Sequence, residues 1–564
     1  MVYVPLEIIK EGANTLRIEA KSNGVQDIVE KQMVIKPNGI ETEEVVSSGM
    51  FEDKYVQDVI YDENAVDGTK SLKVKLYPSI EMQAIENIDA ILKMPTGCFE
   101  QVSSSLYPDI LVLKYMKNKG IKDDELENKA KSYISSGYQK ILSYEVHGTS
   151  GGYSLYGNSP AEPVLTAFGL MELSDASEVY DIDENVIEEM KNYLFGVQSG
   201  NGTFKYSSTY IGGSESKDEV AMNAYIIWAL SEVAPKDKRL EKSVDYLKSK
   251  YKSQKDPYTV ALIANVFANV EANEYSDAID MLSKCLIEDE SGIHVKSEIR
   301  DYYGSHGSYQ NVQSTALTAM AYAKDMKNND VKKMMNYLVS AKSPNGSWGT
   351  TQSTILALKA IASVGNEDDI KNQKVIVKLN NEEKEIDITK DTLSYYEVEF
   401  ENVSNEGKLE IDNEKGSFVY EIIKSYYETY EEALLNKNTG IALNQNITKT
   451  GLVNDIIYQT INLENISNSN IDNAQLQIYI PQGASVDESS LMMLQSRGLI
   501  EKYEYNYSTI NLYLRNFEKN MHISLDVKYR ANYPVDVTGA VIRAYDYYNP
   551  EVSGLTLPEN IVIN

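Results

Sequence analysis

Cys98 stands three residues before Gln101 in the stretch Met94-Pro-Thr-Gly-Cys-Phe-Glu-Gln101. A thiol and a carboxamide at that spacing can react with each other. If the chain folds back, the Cys98 sulfur attacks the Gln101 side-chain carbonyl, ammonia leaves, and an internal thioester remains. A thiol, with a reference pKa near ~8.5, leaves far more easily than an amide nitrogen. The bond is therefore a stored acylating agent, with Gln101 the electrophile and Cys98 the leaving group. Pro95-Thr96-Gly97 places a turn just ahead of the cysteine, and Gly97 allows the tight backbone that a small ring needs. The competing reading is plain burial, the common fate of a cysteine beside an apolar helix, and C-x-x-Q alone does not separate the two.

The elements that must position this pair change character along the chain. Residues 1–36 read as strands, with Thr15-Leu-Arg-Ile-Glu-Ala20 alternating and Ile28-Val-Glu-Lys-Gln-Met-Val-Ile35 rich in β-branched residues. This is too short for a sandwich and is expected to be the end of a preceding β domain. Residues 37–80 continue as strands and end in Ser71–Pro78, where Leu72, Val74 and Leu76 share a face. From 81 to 370 the apolar spacing becomes helical, broken by the Gly-containing turns 150–156, 198–204 and 343–348. Small-residue helical segments recur at Leu165–Leu170, Met222–Ile227, Thr259–Ile263, Ser314–Thr318 and Ser353–Ala357. Their third residues are spaced by 57, 37, 55 and 39, an alternation expected of stacked helical hairpins closing into an α/α toroid. Strands return over 371–435, and a further β domain is expected over 436–564.

The chain has 564 residues, 84 acidic against 54 basic, and a net charge of −30. That surface repels nucleic acid and anionic membranes. No window approaches ~18 apolar residues, so no membrane span is expected. The start Met1-Val-Tyr-Val-Pro-Leu-Glu7 lacks a secretion signal, which is expected upstream. Cys98 and Cys285, the two cysteines, give no disulfide framework, and Cys285 is expected in a helical core. Neither they nor the four histidines have metal-ligand spacing, so no metal or cofactor is expected. A thioester is short-lived among cytosolic thiols and amines, which places its work outside the cytoplasm: secreted, periplasmic or at the cell surface.

In this setting, Gly97-Cys98-Phe99-Glu100-Gln101 resembles the motif of the α2-macroglobulin and complement thioester superfamily, usually GCGEQ and bulkier in the middle in many bacterial members. Ser103-Ser-Ser-Leu-Tyr-Pro108 is similar to the same bacterial members. The resemblance implies a multidomain α and β chain: 1–36 ending a macroglobulin-like domain, 37–80 and 371–435 forming a CUB domain split by the toroid, 81–370 the thioester domain, and 436–564 the C-terminal macroglobulin-like, receptor-binding-like domain. It further implies a single-turnover trap rather than an enzyme, with proteases or other proteins bearing nucleophilic amines as partners. In members favouring hydroxyl targets a histidine first takes the acyl group. The corresponding window, 205–218, contains none, and His147, His294, His306 and His522 lie elsewhere. Direct attack, and hence amine preference, follows. Phe99, Tyr107, Tyr206 and Tyr210 are candidates to shield the bond, and Glu100 is a motif residue that holds the turn or is solvated. Two other readings compete. One is a surface adhesin using the same bond on host amines. The other is a terpenoid-cyclase-like α/α enzyme, suggested by Pro344-Asn-Gly-Ser-Trp348.

Overall fold

The computed structural model of the chain describes residues 12–22, 25–35, 39–77, 83, 95, 97–119, 124–205, 218–324, 328–343, 347–364, 373–388, 395–430, 439–547 and 549–564. Strands β1 (Gly12–Ser22) and β2 (Val25–Ile35) form an antiparallel hairpin that leaves Ile18, Ile28 and Val29 exposed.

A second sheet is built from both sides of the helical region. From before it come β3 (Ile40–Ile60) and β4 (Ser71–Tyr77). From after it come β5 (Gln373–Leu379), β6 (Glu382–Ile388), β7 (Tyr396–Glu401) and β8 (Glu406–Glu428). The long β8 is the spine: β3 lies along one edge, and β4 and β5 lie end to end along the other. Leu72, Val74 and Leu76 share a core with Val375, Val377, Leu409 and Ile411. Residues more than 300 apart in sequence thus bury one another.

The helices form a closed ring. The described inner helices are α1 (Phe99–Lys119), α3 (Pro163–Ser177), α5 (Glu219–Val233), α7 (Pro257–Asn269), α9 (Gly307–Lys324) and α11 (Thr351–Val364). Each packs on the next and α11 returns to α1. Outside lie α2 (Asp124–Leu142), α4 (Glu184–Gly196), α6 (Glu241–Lys250), α8 (Tyr275–Ser283) and α10 (Asn328–Ser340). Inner helices such as α3 and α5 are buried nearly all round, whereas outer helices are amphipathic, as a one-sided contact demands.

All five recurring segments fall on inner helices, and the structure shows why they recur. In four repeats a backbone N–H in the segment ahead of an inner helix is accepted by a side-chain oxygen on that helix: Tyr153 N–H by Thr166 at 3.0 Å, Phe204 by Asn223 at 2.6 Å, Val295 by Thr315 at 3.2 Å and Trp348 by Thr354 at 3.0 Å. Each acceptor sits one residue before the position counted in the sequence. An otherwise orphaned buried donor is thereby satisfied in each of these four repeats. The longer intervals contain extra chain between helices, including the hairpin at 287–294.

The ring closes through charge as well as packing. Asp175 of α3 accepts from Lys114 of α1 at 2.7 Å, from Lys359 of α11 at 2.8 Å and from the Tyr107 hydroxyl at 2.6 Å. The two ammonium groups hold its carboxyl well below the usual carboxylate range against the opposing effect of burial.

The last part of the chain is a β sandwich. One sheet contains β9 (Ile441–Ile447), β10 (Ile456–Asn465) and, beyond the stretch that follows, a strand at 522–531. The other runs through β11 (Ile471–Tyr479), β12 (Lys502–Tyr505), β13 (Thr509–Phe517), β15 (Ile542–Asp546) and β16 (Asn549–Thr556), with β14 the strand His522–Ala531 just mentioned. Their inner faces share one core. Helix α12 (Glu488–Ser496), whose N-terminus is capped by Asp487, interrupts the strands; the strand pattern had given no sign of it.

Candidate functional site

Gly97 and Cys98 lie at the start of α1, where the toroid meets the sandwich. The Val102 N–H bonds to Cys98 O at 2.9 Å, which begins the helix, and the Phe99 N–H is held by Leu155 O at 2.9 Å. Gln101 is one turn on, so its side chain reaches back over the turn. The Cys98 N–H donates to Gln101 Oε1 at 3.0 Å. The carboxamide that would become the acyl group is thus held by the amide of the residue that would attack it. Gly97 has φ +100°. A Cβ there would stand 2.1 Å from Gln101 Oε1 and 2.9 Å from its Cδ, so only glycine leaves the folded-back side chain its place.

Cys98 is buried, and burial pushes its thiol up to about 12. The Glu100 carboxylate pushes the same way, while the Gln101 amide and the Lys502 ammonium pull it down. The space beside Cys98, Glu100 and Gln101 amounts to about 10 Å³ and is lined further by Tyr156 of the toroid and by Gln475, Tyr513, Leu514 and Tyr547 of the sandwich. That is barely room for one water.

The sandwich also grips the turn directly. Lys502 Nζ donates to Gly97 O at 2.7 Å, and the Gly97 N–H donates to Glu504 Oε1 at 2.9 Å. Tyr144 of the toroid adds its hydroxyl to Gly97 O. Lys502 and Glu504, two apart on β12, point the same way and occupy both polar groups of one residue.

Of the residues singled out in the sequence, Gly97, Cys98, Glu100 and Gln101 are brought together. Phe99 faces the toroid core, 6.0 Å from Tyr153 and 6.5 Å from Phe168 between ring centres. A Cβ at Gly169 would meet its ring at 2.7 Å, so the bulky residue at 99 depends on the small one at 169. Tyr107 is buried two turns along α1 with its hydroxyl committed to Asp175; it closes the ring and does not line the space beside Cys98. Tyr206 and Tyr210 lie outside the described residues. No histidine lines that space among the described residues. His147 is exposed, His294 stacks on Tyr337, His306 bonds Gly304 O and His522 pairs with Glu464. Cys285 is half-buried at the end of α8, its thiol near Met281 O, rather than in a core. Sequence reasoning missed Tyr144, Lys502, Glu504, Tyr513 and Tyr547. Lys502 is 405 residues from Gly97, and no local signal connects them.

The signature of the A-macroglobulin TED domain matches residues 72–363 and that of the A-macroglobulin receptor binding domain residues 470–557. Among curated proteins, thioester-containing protein 1 allele S1 of Anopheles gambiae is 23% identical over 99% of this chain and 42% of its own length. Allele R1 is 23% identical over 88% of this chain and 37% of its own length. The chain thus spans less than half the length of these relatives. Among solved structures, Escherichia coli α2-macroglobulin from domain MG7 to the C-terminus aligns with TM-score 0.67 and 14% identity, covering 98% of this chain and 87% of that one. Salmonella α2-macroglobulin reacted with methylamine aligns with TM-score 0.66 and 16% identity, covering 98% of this chain and 36% of that one.

Proposed function

The chain belongs to the α2-macroglobulin/complement thioester superfamily, and on that footing we propose that Cys98 and Gln101 form the internal thioester through which it covalently captures proteins, with amines as preferred attackers. Family members act by thioester-based covalent capture, as protease traps rather than catalysts, and are extracellular or periplasmic. That membership sets the cyclase reading aside. The observation that carries the proposal is Gln101 Oε1 folded back onto the Cys98 N–H over a glycine that leaves no room for a side chain.

The chemistry follows from those atoms. Cys98 Sγ adds to Gln101 Cδ, ammonia departs, and the C–S bond stores the acyl group. Later an amine nitrogen adds to Cδ, charge gathers on Oε1 where the Cys98 N–H meets it, the C–S bond breaks, and sulfur leaves with the proton the amine gives up. Burial works against the last event. Burial raises the pKa of the thiol and so makes its thiolate a poorer leaving group while the sandwich covers it. Separation of the two domains lowers that barrier and admits the attacker together. We read the sheet of β3–β8 as the family's CUB domain and the protein as bacterial and extracytoplasmic. Among the described residues no helix is long and apolar enough to cross a membrane.

With no histidine among the described residues lining the space beside Cys98, amines outcompete hydroxyls. Intact-mass measurement tests the bond: the chain is expected about 17 Da light, and Cys98→Ala restores the full mass. Methylamine should add rapidly and glycerol barely; equal incorporation would overturn the amine preference.

A further inference from the structure

The peptide unit between Gly97 and Cys98 is hydrogen-bonded at both ends. Its N–H, on Cys98, donates to Gln101 Oε1 at 3.0 Å. Its carbonyl, Gly97 O, accepts from Lys502 Nζ at 2.7 Å and from the Tyr144 hydroxyl. The unit is trans, so its N–H and C=O point to opposite sides. Lys502 thus stands across the peptide from the carboxamide, and what it does to Gln101 passes through that peptide.

A carbonyl that accepts from a cation gives up electron density, and the N–H conjugated with it becomes a stronger donor. Chained hydrogen bonds reinforce one another by about 10–30% per bond, and those from a charged donor are the strong ones. The donor strengthened here is the one aimed at Oε1, where negative charge gathers when the Cys98 sulfur adds to Gln101 Cδ. The lysine is also fixed in place. Glu504 Oε1 lies 3.1 Å from Lys502 Nζ and accepts the Gly97 N–H at 2.9 Å, while Glu504 Oε2 accepts from the Tyr513 hydroxyl at 3.0 Å. Carboxylate and ammonium therefore hold consecutive peptide units of one turn.

We propose that Lys502 is a positioning residue for thioester formation, acting through the Gly97–Cys98 peptide to sharpen the donor that steadies the charge on Gln101 Oε1. The proposal rests on the thioester reading above. In the step it assists, Cys98 Sγ bonds to Gln101 Cδ, the bond from Cδ to Nε2 breaks, and the nitrogen leaves as ammonia with the proton the thiol gives up. Lys502 forms no covalent bond and stays an ammonium throughout, which is the form that donates. It sits on β12 of the sandwich, and the reacting pair sits at the start of α1 of the toroid. The bond is consequently made fastest while the two are docked, where water is already excluded. When the sandwich moves off, this help is withdrawn.

The test follows chain freshly made by cell-free synthesis and reads, by intact mass, how fast the deficit of about 17 Da appears. Wild type is compared with Lys502→Met, Lys502→Arg, Tyr144→Phe and the double variant of Lys502→Met with Tyr144→Phe. Labelling with nitrogen-15 cysteine reads the donor directly by NMR, because Cys98 and Cys285 are the two cysteines. An oxyanion donor is worth about 10²–10³ in rate, and 10–30% of that effect is roughly two- to eightfold. Lys502→Met and Tyr144→Phe are each expected to slow formation by that factor and to move the Cys98 amide proton upfield while Cys285 stays. The double variant should be slower than either, and Lys502→Arg should recover most of the rate. Tyr144 belongs to the toroid, so its variant takes a donor from Gly97 O without removing a sandwich residue and covers the case that Lys502→Met folds poorly. Wild-type rates in both single variants, or slower formation with an unmoved Cys98 amide, overturn the relay and leave Lys502 a docking contact. A wild type with no mass deficit overturns the thioester reading instead, and the proposed assistance with it.

Discussion

A methyl group at position 97 would stand 2.1 Å from Gln101 Oε1, 2.7 Å from its Cβ and 2.9 Å from its Cδ. Gly97→Ala therefore strikes the side chain that carries the chemistry while leaving both reacting residues in place. Two costs add. Holding a non-glycine residue at φ +100° strains the backbone by about 1–3 kcal/mol. Expelling Gln101 forfeits the bond from the Cys98 N–H, worth about 1 kcal/mol. A total near 2–4 kcal/mol lowers the melting temperature of a domain the size of the toroid by roughly 3–7 °C, so the chain still folds at room temperature. The chemical loss is steeper. Bringing Gln101 back to Cys98 against the methyl costs several kcal/mol more, and each ~1.4 kcal/mol is tenfold in rate. The assay is the fraction of purified chain about 17 Da light by intact mass, with a melting curve on the same sample. The expected result is a folded G97A chain with little or no mass deficit. A folded G97A chain with the full deficit would refute the claim that the glycine exists to seat Gln101.

Three further outcomes follow from the same geometry. Phe99→Ala should destabilise the toroid by about 3–5 kcal/mol, since Phe99 is fully buried among Tyr144, Tyr153 and Phe168; Gly169→Ala should also destabilise, and the combination should cost less than the sum because Phe99 Cζ is the group the new methyl meets. Tyr547→Ala should speed resting hydrolysis by opening the space beside Cys98. Stability should fall as pH rises from about 5 toward 9: burial raises Glu172 to about 8 and Asp109 to about 9, so the folded chain keeps protons that the unfolded chain has released. Glu172→Gln with Asp109→Asn should flatten that fall in melting curves. Asp175 has the opposite sign, its contribution being present above the ordinary carboxylate range and lost below it, and a wild-type melting temperature that climbs from pH 5 to 9 would contradict the assignment.

The chemistry was legible because it is local: Gly97, Cys98 and Gln101 lie within one helical turn, and α-helical geometry brings a residue at i+3 back toward its start. The ring was legible because repetition is a one-dimensional signal. The inner helices are small-sided, and four of them receive an N–H from the turn ahead of them, as Thr166, Asn223, Thr315 and Thr354 do; those features recur at readable intervals. Tyr107 shows where such reading stops, since an aromatic two turns from the motif belongs equally well to a shield or to the Asp175 network, and composition does not choose between them.

Everything that governs whether the pair is latent comes from far along the chain. Lys502 and Glu504 grip Gly97 from more than 400 residues away, and Tyr513 and Tyr547 close the space beside Cys98. These are ordinary residues on ordinary strands; their meaning arises only when two domains dock and remove water from a shared surface. Sequence spacing determined that Cys98 and Gln101 lie within one turn of each other, as the proposed thioester requires. The docking of the sandwich on the toroid decided how dry the surroundings of Cys98 are, because residues about 400 apart meet only when two domains bury a shared surface, and that carries no mark in the sequence itself.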